Sequence, residues 1–262
     1  MDLNKFKEHL KNNNCAESTI LNYSNIIKRF YSSGCSDYNK DTIRFYFDNL
    51  KQTKESKDVT LKAFIAYSKF LGVDVELPKF CKPTRKMPDY ITLEFFEKEI
   101  IPIIPRLFKN PLKVQAFMYF LAYTGVRCPS EVVNLPRSAF DLKERTVKIY
   151  IKKRDKEKWI VLPKKIIPII KTFFMSEPET VNAFNITSGS ITHIFRQLQA
   201  NFPDIHMRSR LFRHSIATHL KREGADITAI MDIMGWESIE SAKPYLNNDK
   251  KMIKDLYDRY VQ

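Results

Sequence analysis

Arg210-Leu211-Phe212-Arg213-His214, followed downstream by Gly235-Trp236-Glu237-Ser238-Ile239-Glu240-Ser241-Ala242-Lys243-Pro244-Tyr245, is the pair of segments that decides how this chain reads. A tyrosine alone says little. A tyrosine beyond an arginine-rich helix start, in a strongly basic chain, reads as a nucleophile aimed at a phosphate held by guanidinium groups. The surroundings of the two segments support helices: Gly224 closes one, Asp226 caps the next and Gly235 closes that one, with Ser188 and Ser190 near the start of an earlier helix.

Composition sets the partner class. The 262 residues hold 44 Lys and Arg against 30 Asp and Glu, a net charge of +14 with a pI near 9.5. Such a field draws a polyanion and makes the binding salt-sensitive, so nucleic acid is the leading partner class. With 44% hydrophobic and 13% aromatic residues the chain can bury a sizeable core, which argues against a disordered protein. Cys15, Cys35, Cys81 and Cys128 lie far apart with no CxxC pair, so the pattern suggests neither a zinc site nor a disulfide framework. No apolar run approaches the length of a membrane span, and Asp2, Lys5 and Lys7 stand where a signal peptide would be apolar. The expectation is a cytoplasmic protein with reduced thiols and no membrane partner.

Working towards the N-terminus, the chain reads as mainly α with a small antiparallel β-sheet. Ile20, Tyr23, Ile26, Ile27, Phe30 and Tyr31 recur at helical spacing over 18–31, with Ser18 as the cap and Gly34 as the stop. Together with Phe6, Leu10, Ile43, Phe45, Phe47, Leu50, Leu61, Phe64, Ile65, Tyr67, Phe70 and Leu71 they predict a small helical bundle over 1–72. Residues 73–90, with Pro78, Lys82, Pro83, Arg85, Lys86 and Pro88, read as a basic linker or a surface loop. The second domain, 91–262, opens with helical patterns through about 134. Thr146 to Ile151 and Trp159 to Leu162 then alternate as two strands of a hairpin. Its tip, Lys152-Lys153-Arg154-Asp155-Lys156-Glu157-Lys158, is either a solvated turn or a reach into a groove.

Three ordered boxes carry a family resemblance: Leu121-Ala122-Tyr123-Thr124-Gly125-Val126-Arg127-Cys128-Pro129-Ser130-Glu131, Arg210 to His219, and Ile233-Met234-Gly235-Trp236 to Tyr245, nine residues beyond Trp236. The chain resembles the tyrosine recombinase (phage integrase, Xer/Cre-like) superfamily, whose boxes are TGxRxSE, HxxRH with a following ATH, and LGH or LGW with a tyrosine nine residues on. The resemblance covers the whole chain. It implies that 1–72 is a core-binding, DNA-contacting domain and 91–262 the catalytic domain, ending in a helix over 248–262 that docks on a neighbouring subunit. Arg127 and Arg213 match the two clamp arginines, Tyr245 the nucleophile and Trp236 a phosphate contact. Lys153 matches the hairpin lysine that protonates the leaving hydroxyl, with Lys152 as competitor. The implied activity is site-specific recombination of DNA through a 3′-phosphotyrosyl link, by a homo-oligomer that forms a tetramer on paired duplexes, without cofactor or metal.

The departures from the pattern have physical consequences. One extra residue stands between Arg127 and Glu131, which the sequence places four apart on one helix face, where the carboxylate would orient the guanidinium. Arg210 occupies the place of a histidine or lysine, and an arginine cannot accept a proton from the tyrosine. Help from a base would then come from water or not at all. His214 reads as a buried, hydrogen-bonded helix residue, and Tyr257 and Tyr260 as packing on the terminal helix. Pro244 should interrupt a helix begun near Ser238. Two functions stay open at this stage: a recombinase or integrase, and a DNA-binding protein of the same ancestry that no longer cuts. A type IB topoisomerase fits less well because of the separate small bundle.

Overall fold

The computed structural model describes residues 2–78, 88–151 and 156–246, together with 254, 257 and 258. Two compact units divide the chain, Met1–Arg85 and Lys86–Gln262.

The first unit is built from α1 (Leu3–Asn12), α2 (Glu17–Ser32), α3 (Lys40–Asp48) and α4 (Lys54–Leu71). Short polar side chains start most of these helices. Asp2 accepts from the Lys5 amide, Asn39 and Thr42 form a reciprocal capping box, and Thr53 accepts from the Ser56 amide. Helix α2 is the exception: Ala16 stands at its cap without a side-chain bond, so Ser18 lies inside the helix. Phe6, Ile27, Phe30, Phe47, Phe64 and Tyr67 fill the core, largely in edge-to-face aromatic contacts. Phe45 and Ile65, expected among the core residues, face solvent instead. On α3 the positions three and four apart that point inward are Ile43, Tyr46 and Phe47.

In the second unit, a π-helical turn, Phe96–Ile100, joins α5 (Leu93–Phe95) to α6 (Ile101–Leu107) and turns Phe96 and Ile100 inward. Helix α7 (Pro111–Thr124) is apolar on nearly every face and forms the centre of the core. It stops at Gly125, ten residues earlier than the pattern predicts, because the backbone there takes φ +62°. A Cβ at this glycine would lie 2.7 Å from Ile216 Cγ2 and 2.8 Å from Met234 Cε. The strands β1 (Phe140–Asp141), β2 (Thr146–Ile151) and β3 (Lys156–Val161) form one antiparallel sheet in the order β1-β2-β3. The second strand of the hairpin starts three residues before the expected Trp159, pairing Ile149 with Lys158 and Val147 with Ile160.

Helices α8 (Ile167–Ser176), α9 (Ser188–Asn201), α10 (Ser209–Arg222), α11 (Ile227–Met234) and α12 (Ile239–Leu246) complete the unit. Helix α8 has no counterpart in the sequence reading. Asp226 caps α11 through the Thr228 amide, and Gly235 ends it at φ +61°, as expected. Helix α12 runs through Pro244 rather than breaking before it. In so short a helix the proline forgoes only one internal bond, and the burial of Ala242 and Tyr245 offsets that loss. Lys152, Lys153, 79–87 of the expected linker and most of the expected terminal helix lie outside the described residues.

Candidate active site

The end of α7 sets the first corner of the site. The Gly125 turn leads into Arg127, and Glu131 follows in a run of turns, so the Arg127–Glu131 contact is made across a turn and not along a helix. One carboxylate oxygen of Glu131 accepts from Arg127 Nη1 at 2.8 Å. The other accepts from the Arg127 amide at 2.8 Å and from Lys158 Nζ at 2.9 Å. Burial favours the neutral acid, but the Lys158 charge and the Arg127 bonds outweigh it and hold the Glu131 pKa below its ordinary value. The carboxylate therefore stays ionised, 3% exposed, between two cations.

Lys158 was not among the expected site residues, because the charged run at the hairpin tip suggested solvent. Its burial follows from strand alternation: Ile160 and Leu162, two and four residues on, point into the core, so Lys158 points the same way. Desolvation lowers its pKa, which Glu131 opposes and the two arginines reinforce.

The second corner is α10. Arg213 is 9% exposed, and its guanidinium donates to the carbonyls of Gly125 and, at 2.5 Å, Met234. Arg127 Nη2 donates to the Gly235 carbonyl at 3.1 Å. Each guanidinium thus uses part of its fork to bind the ends of α7 and α11 together and keeps N–H donors for a ligand. Burial, with repulsion from Arg127 added, pushes the Arg213 pKa down to about 10, so it is charged at neutral pH. Two neighbouring guanidinium groups of like charge, one of them buried, concentrate positive charge here, and that is the electrostatics an anion would relieve.

The third corner brings in Tyr245. Its ring stacks on Trp236 at 5.2 Å between centroids, and Arg213 lies 5.7 Å over the Trp236 ring. The phenol is hydrogen-bonded to His214 Nδ1, and the Tyr245 carbonyl accepts from Lys221 Nζ. Tyr245 is 1% exposed. Burial pushes its pKa up to about 12, against the pull of Arg213 and Arg210. Arg210 is exposed on α10 and donates from Nε to His214 Nε2 at 3.2 Å. Burial, then Arg210, Arg208 and Arg213, push the His214 pKa down to about 4, leaving a neutral ring.

Arg127, Arg210, Arg213, Trp236 and Tyr245 therefore come together from separate segments, joined by Glu131, Lys158 and His214; Lys153 falls outside the described residues. Among the latter no group of His, Cys, Asp and Glu is placed to hold a metal ion, and no helix is long and apolar enough to cross a membrane.

Comparison with known proteins shows the family and the fold. The profile of the phage integrase family matches residues 94–252. The chain is 23% identical to tyrosine recombinase XerA of Pyrococcus furiosus, over 98% of this chain and 93% of that protein. It is 28% identical to a tyrosine recombinase of Thermosipho africanus, over 72% of this chain and 69% of that protein. Two solved structures share the fold at a TM-score of 0.73. One is the XerH site-specific recombinase bound to palindromic difH substrate in a post-cleavage complex, 16% identical with 95% of this chain and 82% of that one covered. The other is the Tn1549 transposon integrase in complex with transposon right end DNA, 12% identical with 99% of each covered.

Proposed function

The chain belongs to the phage integrase family, and from that premise we propose that it is a tyrosine-type site-specific DNA recombinase whose nucleophile is Tyr245. The observation that carries this is the convergence of Arg127 and Arg213 beside a tyrosine stacked on Trp236. A phosphodiester is anionic and repels nucleophiles, so the donors left on the two guanidinium groups neutralise it and cradle the pentavalent transition state. Trp236 adds an indole N–H donor. The phenolic oxygen attacks phosphorus, the bond to the 5′ oxygen breaks and a 3′-phosphotyrosyl ester forms. The departing 5′ oxygen takes a proton, for which Lys153 is the donor. Because one ester replaces another, the released 5′-hydroxyl strand, or that of a second duplex, reverses the step without an external energy source.

Arg210 is exposed beside the clamp and supplies charge to the phosphate but no basic nitrogen. The helical unit at the N-terminus grips the same double-stranded DNA, and two duplexes are held by a tetramer in the cytoplasm. The non-cutting reading gains no support, since the clamp and the phenol are all present.

The test uses a duplex selected for binding from random DNA and nicked next to the scissile position, so that the released strand diffuses away and the covalent product is trapped. The parent accumulates a protein–DNA adduct; Tyr245→Phe binds the duplex and gives none. An adduct that persists in Tyr245→Phe, or a parent that binds without ever forming one, overturns the proposal.

A further inference from the structure

His214 stands between an arginine and the proposed nucleophile, and the hydrogen-bond chemistry of its two neighbours fixes where its proton lies. Arg210 Nε approaches His214 Nε2 at 3.2 Å, and an arginine nitrogen only donates. Nε2 must therefore present its lone pair. A neutral imidazole carries one N–H, so that hydrogen is on Nδ1, the atom bonded to the Tyr245 phenol. From this geometry we infer that His214 is a positioning residue: the donor sequence runs Arg210 to His214 to Tyr245, and the ring hands the phenolic oxygen a hydrogen bond rather than taking its proton. The inference rests on the reading of Tyr245 as the nucleophile.

The neighbours of the ring support the neutral, Nδ1-protonated form. His214 faces Arg210 and Arg213 on its own helix and Arg208 at the helix start, with Asp89 as the opposing charge. A second ring proton would set an N–H against the Arg210 N–H and a positive charge among three others. Burial and these charges hold the His214 pKa near 4, well under neutral pH.

Two consequences follow for the reaction. One lone pair of the phenolic oxygen is occupied by His214, so the other is aimed; a ring free to rotate would leave both undirected. The donated hydrogen bond also stabilises the negative charge that grows on this oxygen as its proton departs to water or to a phosphate oxygen. Arg210 thus has a job beyond charge, since without its N–H nothing in the geometry selects the tautomer.

The experiment has two independent arms. In the free full-length chain, labelled with nitrogen-15 in its histidines, long-range nitrogen–proton correlation at neutral pH reads the tautomer directly. The expected result is protonated Nδ1 with unprotonated Nε2; an Nε2–H ring or an imidazolium overturns the inference. The second arm uses cleavage of the nicked duplex. His214→Asn places an amide N–H where Nδ1 was, His214→Gln places one where Nε2 was, and His214→Leu has neither. Cleavage by the asparagine variant stays within about tenfold of the parent, while the glutamine and leucine variants fall about a hundredfold with DNA binding retained. An asparagine variant as poor as the leucine variant would identify the ring as a base or as mere packing and refute the donor role. If the leucine variant does not fold, the contrast between asparagine and glutamine and the tautomer of the parent decide. A parent chain that never forms an adduct sinks the reading of Tyr245, whereas the tautomer measurement stands apart from cleavage.

Discussion

Replacing Glu131 by glutamine removes one negative charge from between Arg127 and Lys158 while keeping nearly the same shape. The carboxylate is 3% exposed and accepts three hydrogen bonds at 2.8, 2.8 and 2.9 Å. An amide retains one acceptor oxygen and turns the other position into a donor, which then faces the N–H groups of Arg127 or Lys158. The Lys158 ammonium, 13% exposed, is left near Arg127 and Arg213 without the carboxylate that neutralised it. Removing one member of a buried pair costs about 3–5 kcal/mol, chiefly because the other stays buried and uncompensated. At about 2–4 °C per kcal/mol for a unit of this size, the melting temperature of Glu131→Gln falls by about 6–20 °C. The assay is thermal unfolding followed by circular dichroism, at equal concentration for parent, Glu131→Gln and the double variant Glu131→Gln/Lys158→Met. Removing the stranded ammonium recovers at least about 1 kcal/mol, so the double variant melts above the single one. A Glu131→Gln protein that melts within about 2 °C of the parent, or a double variant less stable than the single, would refute this account of how the clamp is held.

Acid sensitivity and the tightness of the α7 turn give two further tests. His214 has an ordinary pKa of 6.5 and a folded one of about 4, so below pH 6.5 the unfolded chain binds a proton that the fold refuses. Its contribution is complete above pH 6.5 and declines as pH falls towards 4, by at most about 3 kcal/mol; urea melts at pH 7 and 4.5 should show His214→Asn losing less stability than the parent over that interval, and equal losses would contradict the burial of a neutral ring. At Gly125, alanine would set its Cβ within 2.8 Å of Ile216 and Met234 on a backbone of φ +62°, so Gly125→Ala should lose about 1–3 kcal/mol and displace the carbonyl that holds Arg213; a variant with the parent's melt and cleavage rate would show that the turn tolerates a side chain.

The sequence made legible those features that depend on local rules or on an ordered set of boxes. Helical spacing marked α2 and α4, alternation marked the hairpin, and Asp226 and Gly235 bounded α11, because capping and glycine geometry act over a few residues. Arg127, Arg213 and Tyr245 were nominated by box order, and the fold brings them together. What the sequence concealed was tertiary. Four-residue spacing puts Glu131 one helical turn from Arg127, but Gly125 ends α7 first, and a turn brings the same two groups together. Lys158 was counted with a charged tip although the parity of Ile160 already placed it inward. His214, expected to be buried and hydrogen-bonded, is only half-buried but does bond, to Arg210 and Tyr245, and no spacing rule predicts a contact between α10 and α12.

Tyr245 belongs to a small apolar cluster of its own, with Ile216, Ala217, Ile230 and Met234, apart from the main core. The residue proposed as nucleophile is thus also packing material, 1% exposed. Its burial is worth about 1.5–3 kcal/mol, so the ring held on Trp236 and His214 outweighs a displaced one by roughly ten- to a hundredfold. A side chain that fills space in this cluster thereby also keeps its phenolic oxygen in one place, bonded to His214.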